Sequence, residues 1–131
     1  MENVAHDADS SGCVSFEHQD DDILFARFSG DFSFEFAKDC GDRIIVRIKN
    51  GARRVLYNVS EANPLFSPTS LTDEVRRIGD AGNRLARFAY LAPENRFAKY
   101  FMLIEAAAFN DGIQVEFFSD DAEARAWLTS S

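Results

Sequence analysis

The sequence predicts a single α/β domain with a mostly parallel central sheet, an N-terminal antiparallel hairpin and about four helices. Three observations predict it. From Ile23 onward, short apolar runs alternate with amphipathic stretches of helical length, in the order strand, helix, strand, helix, strand, helix, strand, helix. Connections of that length return each strand parallel to the one before. The run Val55-Leu56-Tyr57-Asn58-Val59 carries no charge and is rich in β-branched and aromatic residues, as expected of a strand covered on both faces. A further short strand at residues 13–16 precedes the alternation across an acidic link that suits a hairpin and is too short for a crossover.

Size and charge bound the rest. A chain of 131 residues fits one domain, and at that length a fold buries roughly two-thirds of the surface its unfolded chain exposes. With 46% hydrophobic residues and 13 phenylalanines there is material for a core. Residues 1–12 are polar and read as a disordered or frayed tail, leaving residues 13–131 as the domain. The formal charge of −8, from 22 acidic and 14 basic side chains, repels nucleic-acid phosphates and anionic headgroups, so no nucleic-acid partner is expected. The basic run Arg43, Arg47, Lys49, Arg53 and Arg54 reads mainly as a solvated helix face. No apolar h-region precedes Cys13 and Cys40, so a reduced cytoplasmic setting is expected. Glu105 interrupts the longest apolar run, and no membrane span is expected.

Taken in order, Cys13-Val14-Ser15-Phe16 is the first strand and residues 23–30 the second, with Ile23, Phe25 and Arg27 alternating against Leu24, Ala26 and Phe28. The run His18-Gln19-Asp20-Asp21-Asp22 turns between them. Asp31 or Ser33 caps the next helix, whose apolar residues Phe36, Cys40, Ile44 and Ile48 recur every fourth position until Asn50-Gly51 stops it. Cys40 on that stripe is a packing residue. After the central strand, residues 60–67 form a loop and a helix begins near Pro68, with Leu71, Val75, Ile78 and Gly82 on one face. Either Ser67 caps it with Pro68 at the first helical position, or Ser70 caps it with Asp73 three residues on. Residues 85–92 are a strand, Pro93 opens a helix carrying Phe97, Tyr100, Phe101, Ile104 and Ala108, and Gly112 ends it. Residues 113–118 are the last strand. Asp120, with Glu123 three residues later, starts a short helix in which Trp127 buries its ring against the sheet.

No catalytic, metal or cofactor pattern assembles. The only histidines are His6 and His18, and no Ser-His-Asp, HExxH, glycine-rich phosphate loop or CxxC can be built. His6, Cys13 and His18 lack the spacing and fourth ligand of a metal site. The aspartates at 20–22 lack the glycine and distal glutamate of a calcium loop. The stretch that points to function is the loop and the helix start it feeds: free N–H groups and the helix dipole favour an anion beside Ser67, Thr69 and Ser70. Ahead of them, Asn63-Pro64-Leu65-Phe66 presents two large apolar residues between turn formers, for a partner, for an apolar ligand pocket shared with Phe32 and Phe34, or as core filling.

Two stretches carry a family resemblance. Gly51-Ala52-Arg53-Arg54-Val55-Leu56-Tyr57-Asn58-Val59-Ser60, ahead of a loop and helix, is similar to a glycine, hydrophobic strand and Asp-x-Ser; Phe118-Ser119-Asp120-Asp121-Ala122-Glu123-Ala124-Arg125-Ala126-Trp127-Leu128 is similar to a Phe…Asp…Ala-x-x-Trp-Leu ending. With the element order over residues 14–128, they make the chain resemble the SpoIIAA-like branch of the STAS domains, the family of anti-sigma-factor antagonists and sulfate-transporter tails. The resemblance implies a STAS/SpoIIAA-like fold acting as a non-catalytic regulatory or protein-interaction module. It implies a phosphoacceptor at Ser67, which lies at the family's interval beyond the strand-end position occupied here by Asn58, and a partner such as a kinase-type anti-sigma factor. Phe66-Ser67-Pro68-Thr69 stands where the family has Asp-Ser-Ser-Gly, while the chain's own Asp9-Ser10-Ser11-Gly12 lies ahead of the first strand. The expected docking surface is Asn63, Leu65, Phe66, Ser67, Thr69, Ser70 and Leu71. A homodimer is a further expected state. The alternative implied by the branch's relation to lipid-carrier folds is a carrier or sensor of a small apolar ligand or lipid, using Leu65, Phe66 and neighbouring aromatics.

Overall fold

The structure, a computed structural model, describes residues 2–5, 12–93 and 96–130. Its strands β1 (Glu2–Ala5), β2 (Cys13–Gln19), β3 (Ile23–Phe32), β4 (Arg54–Pro64), β5 (Arg87–Leu91) and β6 (Gln114–Phe118) form one sheet in sequence order. The pairs from β3 to β6 are parallel, and β1 with β2 and β2 with β3 are antiparallel. This is the predicted mostly parallel sheet with antiparallel strands on its N-terminal side.

One correction falls on the expected tail. Residues 2–5 pair with β2, Glu2 opposite Phe16 and Ala5 opposite Cys13, so that β1 takes up backbone groups that β2 would otherwise leave open as an edge. Four residues of mixed polarity carry no periodicity from which a strand is read. His6 and Asp9-Ser10-Ser11 lie outside the described residues. The acidic link forms a 3-10 turn over Asp20–Asp22, with Asp21 and Asp22 at φ 65° and 56°, a left-handed conformation that aspartate tolerates better than bulkier residues.

Helices α1 (Phe34–Lys49), α2 (Pro68–Ala81), α3 (Ala98–Asp111) and α4 (Asp121–Thr129) follow the parallel strands. Of the two proposed caps for α1, Ser33 is used: its Oγ accepts from the Phe36 N–H at 3.1 Å. The Asp120 carboxylate accepts from the Glu123 N–H at 3.0 Å and starts α4. The helix expected to open at Pro93 opens at Ala98, because Arg96 and Phe97 make a separate turn whose Arg96 side chain donates to the carbonyls of Ser60 and Ala62 on β4. Among the described residues no helix is long and apolar enough to cross a membrane.

The alternation of side chains sorts the core. Val55 and Tyr57 of β4 join Phe36, Cys40, Ile44 and Ile48 of α1, Val75 and Ile78 of α2, and Ile104 of α3 on one face. Leu56, between them in sequence, turns to the other face with Ile23, Ala89, Ala124 and Leu128 under α4. Three helices therefore cover one side of the sheet and one covers the other. Trp127 is half-buried there, 5.9 Å from Phe118, with the Arg87 guanidinium over its ring.

The second correction concerns β4. Residues 60–64 were expected in a loop and continue the strand. Pairing with β5 ends at Asn58, but pairing with β3 resumes after an irregularity between Arg27 and Ser29 and runs to Pro64 opposite Phe32. Asn58 makes the irregularity tolerable, since its Oδ1 accepts the Ser60 N–H at 3.1 Å. Pro64 is tolerated because β5 no longer lies alongside to require its missing N–H.

Candidate functional site

The extension of β4 builds one side of a half-open cavity at the carboxyl ends of β3, β4 and β5, the end at which parallel sheets commonly hold ligands. Tyr57 and Tyr90, direct register partners with rings 4.7 Å apart, lie on the sheet surface that lines it. Cys40 and Ile44 from α1, Leu71 and Ile78 from α2, and Tyr100, Phe101 and Ile104 from α3 contribute the surrounding wall, together with Phe28, Phe32 and Phe97. The cavity measures about 110 Å³. Its wall is almost entirely carbon, much of it aromatic.

Besides Tyr100, whose hydroxyl is bonded to the Phe66 carbonyl, four polar groups interrupt that wall. Neither the Tyr57 nor the Tyr90 hydroxyl has a hydrogen-bond partner among the described residues, and neither is sealed from the cavity, since the buried unpaired side-chain atom among those residues is Gln19 Oε1. Burial pushes both phenols well above their ordinary value, and for Tyr57 the neighbouring Tyr90, Cys40 and Glu74 push the same way. The Cys40 thiol is pushed up to about 12 by burial, with Asp39 and Cys13 adding to it and Arg43 opposing. Such a thiol is protonated and inert, as its place on the packing stripe implies.

Glu74 is the fourth group and is 5% exposed. Arg77 holds it in a fork, donating from one terminal nitrogen to Oε2 at 2.7 Å and from Nε to Oε1 at 3.3 Å, and reaches across to Asp42 of α1 at 2.6 Å. These bonds raise the Arg77 pKa, the Glu74 hydrogen bond most of all. The carboxylate fits because position 41 is glycine: a Cβ there would come within 2.8 Å of Glu74 Oε2. The pair thus staples α1 to α2 behind the cavity.

The predicted docking residues separate into three groups. Phe66 and Leu71 lie in the cavity wall. Phe66 is fixed from both sides, its carbonyl accepting from the Tyr100 hydroxyl at 2.6 Å and its ring meeting the edge of Phe34 at 5.8 Å. Ser67, Thr69 and Ser70 form a hydroxyl cluster at the start of α2, with Ser67 Oγ 3.1 Å from Thr69 Oγ1 and 3.3 Å from Ser70 Oγ. Ser67 occupies the N-cap position with Pro68 after it, but its side chain makes no capping bond to the helix backbone. Of the two proposed helix starts the structure therefore uses the first, without its capping bond. Asn63 stands apart on β4, its Nδ2 donating to Asp31 Oδ1 at 2.8 Å. Leu65, between Asn63 and the cavity, is 61% exposed.

No family model matches the chain, and no curated protein matches it. The site therefore rests on its own residues. Sequence reasoning found Phe66 and Leu71 and missed Tyr57, Tyr90 and Glu74. The missed signals are visible in retrospect: each tyrosine sits mid-strand in an otherwise apolar run, and Glu74 lies on the helix stripe between Leu71 and Ile78.

Proposed function

We propose that the protein is a non-catalytic module that binds a small apolar ligand in this cavity, as a carrier or as a sensor. The observation that carries the reading is the aromatic-walled cavity itself, placed at the carboxyl end of the parallel strands and walled by the loop and helix start that the sequence marks out. The surrounding polar groups support binding over reaction. Cys40 is held protonated and Glu74 is committed to Arg77, so neither is poised as a nucleophile or a base. Mass spectrometry under non-denaturing conditions, on protein purified from its host, tests the reading. A small compound released on denaturation supports it. A chain that comes out empty and then fails to take up toluene in titration overturns it.

A second reading is favoured by the loop. Leu65 is exposed beside the Ser67 hydroxyl cluster at the positive end of α2, which suits a cytoplasmic protein-interaction module gated by phosphorylation of Ser67. The resemblance to SpoIIAA-like STAS domains supports the same idea and would make the partner a kinase-type anti-sigma factor or similar regulator, with a homodimer as the other candidate assembly. Incubation with a kinase-type anti-sigma factor and ATP, followed by phosphopeptide mapping, tests it. Phosphate at Ser67 supports the switch, and phosphate only at other serines removes it.

A further inference from the structure

We propose that the cavity takes an uncharged, single-ring molecule bearing one hydrogen-bonding oxygen, such as a simple phenol or aryl ketone, with that oxygen meeting the hydroxyls of Tyr57 and Tyr90. The inference rests on the reading of the cavity as a ligand site and narrows it to a chemical class.

Size comes first. An apolar cavity of about 150 Å³ accepts benzene, and drug-sized ligands occupy about 300 Å³ or more. At about 110 Å³ this cavity is nearer the size of one ring than of a drug-sized ligand. Shape agrees with size. Phe28, Phe32, Phe97, Phe101 and the two tyrosines offer ring faces and edges to a planar guest.

Polarity decides between a bare hydrocarbon and an oxygenated one. Tyr57 is 4% exposed, and its hydroxyl, like that of Tyr90, is without a partner among the described residues. Neither hydroxyl oxygen is sealed off as Gln19 Oε1 is, so each is reachable from the half-open cavity and free to pair with a guest oxygen that enters it. Side by side on neighbouring strands, both lining the cavity, the two offer a donor pair to a guest oxygen.

Charge excludes the ionic alternatives. Glu74 brings a carboxylate to the wall, and the nearby guanidinium of Arg77 is already engaged by Glu74 and Asp42. An anion would meet a like charge with no lysine or arginine among the described lining residues to receive it. A cation would have to shed its water among aromatic carbon and compete with Arg77 for the same carboxylate.

The test is calorimetric titration of the full chain with three probes: p-cresol, toluene and benzoate. Tyr57→Phe and Tyr90→Phe are prepared singly and together. Each removes only a hydroxyl without a protein partner, so the ring packing is kept. The expected result is that p-cresol binds, that the double variant weakens p-cresol about tenfold, and that toluene binding moves by less than about twofold. Toluene binding with p-cresol unaffected by the variants overturns this inference while leaving the apolar-ligand reading standing. Benzoate binding more tightly than p-cresol overturns the claim of an uncharged guest. Failure of both toluene and p-cresol overturns the inference together with the reading beneath it. Toluene also reports on the variants themselves, since its retention shows that the cavity has stayed intact.

Discussion

Raising the pH tests whether the cavity is as dry as its wall implies. Cys40 is 2% exposed, and burial moves its thiol from 9.0 up to about 12. The unfolded chain gives up that proton at the ordinary value while the folded chain keeps it. Between pH 9.0 and about 12 the folded state therefore binds the extra proton, and stability falls as the pH rises. The loss is about 1.4 kcal/mol per pH unit for each such group, so Cys40 alone removes roughly 2.5 kcal/mol by about pH 11. Tyr57 and Tyr90, also held protonated by burial, steepen the decline above 10.0. Against a total stability of about 5–15 kcal/mol for a domain, such a loss is readily measured. In a Cys13→Ser chain Cys40 is the remaining thiol. Urea unfolding in steps from about pH 8 to about pH 11, with thiolate absorbance followed in parallel, reads both quantities. The expected result is a falling urea midpoint with no thiolate in the folded protein until it unfolds. A folded-state thiolate titrating near 9.0, with a flat urea midpoint, would show water reaching Cys40 and refute the reasoning.

Three further outcomes follow from the same geometry. Glu74→Ala leaves Arg77 with Asp42 and the Lys38 carbonyl and opens space between α1 and α2; because Arg77 is itself partly exposed, the expected cost is about 2–3 kcal/mol in urea unfolding, below the full loss of a deeply buried pair. Gly79→Ala places a Cβ 2.5 Å from Ile113 Cδ1 and 2.7 Å from its Cγ1, so Ile113, just ahead of β6, must give way, with an expected loss of about 1–3 kcal/mol in the same assay; an unchanged midpoint would refute the tight contact. Ser67→Asp adds a negative charge at the N-terminus of α2 where no side-chain cap is lost, so thermal unfolding should show stability unchanged or raised by about 0.5 kcal/mol; a marked loss would mean that the hydroxyl cluster supports the fold.

The parts of the fold legible in the sequence are those governed by period. The repeat Phe36, Cys40, Ile44, Ile48 set the buried face of α1, and the opposed faces of Leu24 and Ile23 on β3 match the two clusters on either side of the sheet. Strand ends were harder to read, because breakers there act through their neighbours. The loop expected over residues 60–67 contains Pro64 and follows Asn58, yet Asn58 bridges an irregularity with its own side chain and Pro64 stands where only one side of β4 is paired. β1 was illegible for a related reason: a short strand at an edge is held by its partner's open backbone groups and not by a pattern of its own. The candidate site was half legible. Phe66 and Leu71 announce themselves as large apolar residues beside a helix start, whereas Tyr57 and Tyr90 take their place in the cavity wall only when parallel pairing sets them side by side.

The two readings of function meet in one residue. Phe66 has its ring in the cavity wall, Leu65 on one side of it is exposed to solvent, and Ser67 on the other stands at the N-cap position of α2. The Tyr100 hydroxyl, bonded to the Phe66 carbonyl, ties that segment to the helix forming the opposite wall. A guest that pushes on the Phe66 ring therefore pushes on a three-residue segment whose outer members are the exposed Leu65 and the hydroxyl cluster. Energetic coupling requires only that the guest bind the two placements of this segment unequally. By reciprocity, a phosphate or a partner at Ser67 and Leu65 would then alter affinity inside the cavity by the same factor. Cavity and loop act as one sensor under that condition, and Tyr100→Phe, which cuts the tie while keeping the ring, is the substitution that separates them: ligand affinity stays while its dependence on Ser67→Asp is lost.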